Sequence, residues 1–581
     1  MKFSSPILRT LVALPLLGGL VGLAMKKAPA PADRSELASR VEKMDVLPAA
    51  KVARGLGFNL NLSNEWEFAR AKEAGAGEAR MQFDWPSVEK TPGVFALPPK
   101  MSRALDVCAE NDLEPLIIAA YGPAYRVVAR LTLQSDVPAG SLSLPVSGAL
   151  SEVDPPFCHV LQSGGQQIVA EGKWAYYGAL IESVDAENGA LQLAAKTSVA
   201  LSKGTVLRVN RLLYPSVATQ DADDPSLVAY GRYARFLAEE IARHGLKGKV
   251  ELWNEPPWKH DRWDARGGFY DDVPPEISKT SPNPGMLNQF LNGPPPPAGV
   301  SFVWGGANKS GGRGLGARRA DLTPAQARNI SADALHPYGD APENHAWNPA
   351  EMRAGAAFQN LALAGTNLTS NMKVLRRNQL GAQRRGALFP GIVATEIGAS
   401  GPDETLRTRY DLRAFLLYLS LGFDRINFYR LADKPSGYAF INRETQQPTQ
   451  PFVAFKALMQ KIDSMKDAPA PFDARDLPAV VSYRGTFPLL TIPVVGRARG
   501  EAQNRVLMIS YQRTFSEGKV KWKDVPSPDA ARVTLQIPQK MKALRVWNLV
   551  SGANVAFSTK NESVSYAVSD DPIALELVPF G

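Results

Sequence analysis

Two glutamates stand where short apolar runs end. Lys249–Trp253 leads into Asn254, Glu255 and Pro256, and Gly391–Thr395 leads into Glu396, Ile397 and Gly398. Carboxyl groups at two strand ends, far apart in sequence, can project into one mouth and divide the work of a displacement. One, kept protonated, gives its proton to a leaving oxygen, while the other, ionised, attacks carbon. At a glycosidic bond this is double displacement with retention, and it needs the two carboxyl groups about 5–5.5 Å apart. Asn254, next to Glu255, is of the type that hydrogen-bonds a sugar 2-hydroxyl, a contact that tightens in the transition state.

Other chemistries find less support. The histidines His159, His244, His260, His336 and His345 show no metal-ligand spacing, and Cys108 and Cys158 are too few for a four-thiolate site. No metal and no cofactor are expected. The glycine-rich stretch 305–315 lacks the phosphate-loop spacing. The chain carries 66 Lys and Arg against 57 Asp and Glu, a net charge of +9. Lys2, Arg9, Lys26 and Lys27 supply part of that excess, and there is no dense basic stripe interleaved with aromatics, so no nucleic-acid partner is expected. An acidic polymer stays open as a partner, and the oligomeric state is not readable.

The elements that must carry the glutamates follow from periodicity. Strands are expected at Val52–Leu60, Ala79–Phe83, Pro115–Ala120, Lys249–Trp253, Val300–Trp304, Ala332–Leu335, Gly391–Thr395 and Asp424–Phe428, with helical stretches between them. The helix from Pro225 is well punctuated, with Asp224 as N-cap, Pro225 at its first position and Gly245 past its end. Eight strands alternating with helices imply an α/β fold, a (β/α)8 TIM barrel. Residues 130–214 break the alternation. Their strand-like runs, with an Asn188-Gly189 turn, read as an inserted small all-β module. Residues 469–581 read as a C-terminal β-sandwich of short alternating strands. The barrel is then discontinuous, 52–129 and 215–468, and residues 31–51 read as a linker. Lys2 and Arg9 before the apolar run Leu11–Ala24 have the form of an export signal, so residues 1–30 are a signal peptide or, in the competing reading, an uncleaved membrane anchor. Either way the bulk of the chain is expected outside the cytoplasm.

Trp253-Asn254-Glu255-Pro256 after strand four, with a second glutamate ending strand seven, resembles the retaining glycoside hydrolases of clan A. Within it, the sequence is most similar to glycoside hydrolase family 39 and related extracellular-polysaccharide hydrolases. The stretches 80–95, 333–340 and 422–433 fit the same pattern. The resemblance implies Glu255 as acid/base, Glu396 as nucleophile and Asn254 as the 2-hydroxyl partner. It implies Arg80 near the nucleophile, and His336 and Tyr338 as orienting or sugar-binding groups. Tyr429 and Arg430 stand where a sugar-stacking Trp is frequent in the clan. Trp85, Tyr121 and Trp258 are further candidates for stacking on sugar rings. The implied substrate is a polysaccharide or oligosaccharide. A transglycosidase and a non-catalytic polysaccharide-binding or assembly protein on the same barrel are the rival readings.

Overall fold

In the computed structural model, eight parallel strands close on themselves: β1 Leu56–Asn59, β2 Glu78–Phe83, β3 Glu114–Ala119, β4 Gly248–Asn254, β5 Val300–Ala307, β6 Ile330–Leu335, β7 Gly391–Ile397 and β8 Arg425–Phe428. The ring shuts where β8 pairs with β1, Phe428 opposite Phe58. The structure describes residues 41–120, 125–155, 158–169, 178–214, 223–254, 289–307, 324–337, 391–512 and 527–580. The fold is a TIM barrel.

Its interior is layered, as the period of two along a strand requires. Glu78 and Arg80 project from β2 at alternate positions, as Lys249 and Glu251 do from β4. Glu78 accepts from Asn427 Nδ2 at 2.8 Å and from the Lys249 ammonium, in the layer nearest the amino ends of the strands. An apolar cluster of Leu116, Val303, Ala332, Ala334 and Val393 fills another side of the interior. Toward the carboxyl ends the layer is again charged.

The helix Pro225–Arg243 shows why the wall holds. Asp224 accepts from the Ser226 amide at 2.8 Å, and Gly245 ends the helix at φ +71°, a conformation that favours glycine. Leu227, Tyr230, Ala234, Leu237 and Ile241 are fully buried along one face. The helix Glu404–Ser420 is buried on every side from Arg407 onward, because it lies between the barrel and the C-terminal sheets. Its Arg409 reaches across to Asp570 at 2.7 Å and Asp571 at 2.6 Å.

Between β3 and that first helix, six antiparallel strands form a second, smaller closed barrel: Tyr125–Leu133, Ser143–Gly148, Cys158–Gln162, Ala179–Asp185, Ala190–Leu193 and Val206–Leu212. Leu131, Val160, Ile181, Leu191 and Val209 are fully buried in a hydrophobic cluster of its own. Gly189 takes φ +63° in the expected hairpin turn. At the C-terminal end, Leu489–Gly496, Arg505–Gln512, Met541–Asn548 and Ile573–Pro579 make one sheet. Ala479–Arg484, Ala531–Gln536, Phe557–Lys560 and Ser563–Val568 make the other. Leu489–Gly496 is buried at every residue, since Leu490, Ile492 and Val494 face the barrel cluster while Leu489 and Val495 face the cluster between the sheets.

Two boundaries differ from expectation. Val41–Lys43 and Leu47–Pro48 are not linker: both pair in parallel with Leu489–Gly496. The run Val52–Leu60 is not one strand, because Ala49–Gly55 is a helix and β1 begins at Leu56. A short apolar run does not distinguish a buried helical turn from a buried strand.

Candidate active site

Arg80, on β2, is fully buried and ties four strands together. Its Nε donates to Glu251 Oε2 at 2.6 Å, and Nη1 donates to Asn59 Oδ1 and to Glu396 Oε1, each at 2.6 Å. Its Nη2 donates to Asn254 Oδ1 at 2.7 Å. Burial by itself would lower the guanidinium's pKa. The charges of Glu251 and then Glu396 more than reverse this and hold it well above its ordinary value.

A second chain of contacts enters from the other side. The Thr395 hydroxyl donates to Glu251 Oε1 at 3.0 Å, and His336 Nε2 lies 3.0 Å from the same hydroxyl oxygen. The single hydroxyl proton is taken by Glu251, so Thr395 accepts from His336 and Nε2 carries a proton. His336 Nδ1 is 3.6 Å from Glu396 Oε2. Asn59 Nδ2 donates to the Thr395 carbonyl at 3.0 Å, which locks the backbone beside Glu396.

Local backbone geometry aims these groups. The pairing of β7 with β8 shifts register between Ala394 and Ile397. Such an irregularity re-aims side chains, so Thr395 and Glu396, although adjacent, both reach the charged layer. On β4, Trp253 takes φ +69°, a left-handed conformation that costs a non-glycine residue about 1–3 kcal/mol. Its ring packs edge-on to Tyr230 at 5.7 Å, while Asn254 reaches Arg80. Tyr429 donates its backbone N–H to the Ile397 carbonyl at 2.7 Å, and its ring meets Tyr438 edge-on at 5.5 Å. Burial, and then the charge of Glu396, push its phenol pKa up.

Charge counting says what the cluster can do. With both carboxylates ionised, Arg80, Glu251 and Glu396 sum to one negative charge, and His336 stands 3.6 Å from Glu396. The side chains of Arg80 and Glu251 are wholly buried, whereas that of Glu396 is 14% exposed. Of the two carboxylates on Arg80, Glu396 is therefore the one accessible from outside the cluster. A carboxylate so placed can attack, or stabilise, a carbon that develops positive charge. Among the described residues, no group of three His, Cys, Asp or Glu is placed to hold a metal ion.

The chain is similar in structure to glycoside hydrolases. One is a family 39 glycoside hydrolase from the gut symbiont Bacteroides cellulosilyticus WH2, 12% identical over 92% of this chain and 82% of that one, with a TM-score of 0.48. Another is Xyn30A, a family 30 subfamily 8 xylanase from Clostridium acetobutylicum, 9% identical over 92% and 97%, with a TM-score of 0.43. A third is a family 30 endoxylanase from Clostridium papyrosolvens C71, 10% identical over 93% and 98%, with a TM-score of 0.42. No family model matches the chain, and no curated protein matches it.

Of the residues singled out in the sequence, the structure brings Arg80, Asn254, His336 and Glu396 into one cluster, with Tyr429 beside it. Glu255, Tyr121, Trp258 and Tyr338 lie outside the described residues, as does the N-terminal segment 1–40. Trp85 is a correction. It is fully buried, stacked on Tyr233 at 5.2 Å and on Tyr214 at 5.5 Å, with Nε1 donating to Glu89 Oε2 at 2.5 Å. Both of its faces are covered, so it cannot offer a platform to a sugar. Asn59, Glu251 and Thr395 were not foreseen. Glu251 left a signal, a lone acid inside the apolar run of β4 at the same parity as Lys249, which places it in the barrel interior.

Proposed function

We propose that the chain is an exported retaining glycoside hydrolase that cleaves O-glycosidic bonds of an extracellular polysaccharide by double displacement. Glu396 attacks the anomeric carbon while Glu255 protonates the leaving oxygen. Glu255 then acts as base toward water, which releases the glycosyl group from Glu396. Asn254 holds the sugar 2-hydroxyl.

The observation that carries this reading is the setting of Glu396. A permanently charged guanidinium at 2.6 Å favours the ionised form that a nucleophile needs. Glu251 takes the opposite edge of the same guanidinium at 2.6 Å, so Arg80 does not neutralise Glu396 in full. The accessible carboxylate faces an oxocarbenium-like transition state, which is where electrostatic stabilisation is most effective.

The test is release of new reducing ends from a polysaccharide panel, with NMR of the first-formed anomer. Retention is expected, and Glu396→Ala should lower kcat by about a thousandfold or more. Azide should restore turnover of an activated aryl glycoside by that variant and give a glycosyl azide of inverted configuration. Undiminished hydrolysis by Glu396→Ala, or an inverted first product from the native chain, overturns the assignment. Lengthened oligosaccharides in place of hydrolysis would make it a transglycosidase.

A further inference from the structure

On the outer face of the small antiparallel barrel, Arg130 and Arg208 form no ion pair with a carboxylate among the described residues. The strands Tyr125–Leu133 and Val206–Leu212 pair with Arg130 directly opposite Arg208 on the outer face; Arg126 and Arg211, also opposed, belong to the other face, where Arg211 stands opposite the core residue Cys158. Cβ atoms at opposed positions are about 4.5–5.5 Å apart, and like charges there work against the pairing. Lys90 adds another cation, on the arm Glu89–Thr91 that packs against Tyr125–Leu133. Burial and then the charge of Arg208 lower its ammonium pKa.

Among the described residues, the module's carboxylates do not meet the Arg130–Arg208 pair. Arg211 pairs with Asp154 at 2.8 Å. Arg130 donates to the neutral Ser163 hydroxyl at 2.6 Å, and Lys90 to the Pro86 carbonyl at 2.5 Å. The Nε of half-buried Arg208 is shielded from water and has no acceptor among the described residues. Scattered, solvated cations are the ordinary consequence of a basic chain. An opposed arginine pair and, in the same pair, a buried guanidinium donor without an acceptor are not, because each costs stability unless something anionic settles there.

We propose that this face of the module binds an anionic polysaccharide through carboxylate or sulfate groups on successive sugars. Guanidinium forks match both groups with paired hydrogen bonds. Neighbouring strands present their charges about 4.8 Å apart, close to the length of one sugar unit in an extended chain. The location selects a glycan over other polyanions. The module leaves the catalytic barrel after Ala119, at the carboxyl end of β3, and the chain returns at Pro225. It therefore stands at the end of the barrel where Glu396 lies, and a polymer threaded through that mouth extends toward it. The choice of a glycan rests on the hydrolase reading; the charge arrangement does not.

The test is calorimetric titration of the full chain with oligogalacturonate, sulfated dextran and a neutral xylo-oligosaccharide of equal length. At low salt at least one acidic oligomer should bind about tenfold tighter than the neutral one, and the preference should shrink as salt rises. The better acidic oligomer tells carboxylate from sulfate. R130Q/R208Q should lose that preference, and R130K/R208K should keep most of it. The glutamine variant should melt no lower than the native chain, since opposed like charges have been removed, so its loss of binding is not unfolding. Equal binding by R130Q/R208Q and the native chain overturns the proposal. So does tighter, arginine-dependent capture by phosphatidylcholine–phosphatidylglycerol vesicles than by either acidic oligomer. Glu396-dependent release of reducing ends is read separately. Its absence beside arginine-dependent glycan binding would overturn the hydrolase and leave this surface standing.

Discussion

Arg80 and Glu396 lie 316 positions apart in the chain and 2.6 Å apart in the barrel. The same guanidinium also holds Glu251, Asn59 and Asn254, so it cross-links four strands through a site that is almost wholly dry. A lysine keeps the charge but has neither the reach nor the fork to serve four acceptors. Arg80→Lys should therefore destabilise the chain by about 3–5 kcal/mol, the usual result of breaking a buried ion pair from one side. Urea denaturation of this variant reads that loss, and native-like stability would contradict the network.

Thr395 relays between His336 and Glu251 with a single hydroxyl. Thr395→Val keeps the shape and removes the relay, taking one hydrogen-bond partner from a buried carboxylate and one from an imidazole. A loss of about 1–3 kcal/mol is expected, with a fall in kcat larger than any rise in KM. A variant unchanged in both thermal unfolding and kinetics would remove Thr395 from the site.

Trp85 belongs to the aromatic packing of Tyr214, Tyr230 and Tyr233, at ring separations of 5.2–5.6 Å. Trp85→Ala should cost about 3–5 kcal/mol, as for other large core truncations. Trp85→Phe should leave KM for oligosaccharides where it was. A rise in KM with unaltered stability would return Trp85 to the substrate.

Asp411 is buried on the helix Glu404–Ser420 and accepts from the Ala399 amide at 3.0 Å, three residues past Glu396. Burial pushes its carboxyl pKa up to about 8, from an ordinary 3.8. The folded chain thus keeps a proton that the unfolded chain gives up. The associated stability is fully present below the ordinary value and is lost as pH rises to about 8, with a slope of at most about 1.4 kcal/mol per pH unit. Asp411→Asn should flatten the fall in Tm across that window. An equally steep fall in the variant would assign the slope to other groups.

Much of this architecture was legible in the chain because its signals are local. Asp224, Pro225 and Gly245 punctuate one helix whatever surrounds it. Asn188-Gly189 makes its turn in the same way, and eight short apolar runs with helices between them admit few folds but a barrel. That Glu396 stands at the carboxyl end of a barrel strand was legible too, from the apolar run that leads into it. Where local signals are ambiguous the reading failed. Residues 41–48 are polar enough to pass for linker, and their partner strand lies more than 400 positions away, Val41 opposite Leu489.

Tertiary structure alone decided which groups meet. That Arg80 serves both Glu251 and Glu396 depends on barrel closure and on the register shift in β7, neither of which composition or period encodes. That Trp85 turns inward depends on the one-turn helix Trp85–Val88 and on the tyrosines brought over it. The sequence by itself determined the elements and the strand ends that carry charge, because propensity, capping and alternation act over a few residues. The pairing of charges across the barrel was decided by packing. A buried ion is tolerated only where distant strands supply its partners, and those partners are known once the ring has closed.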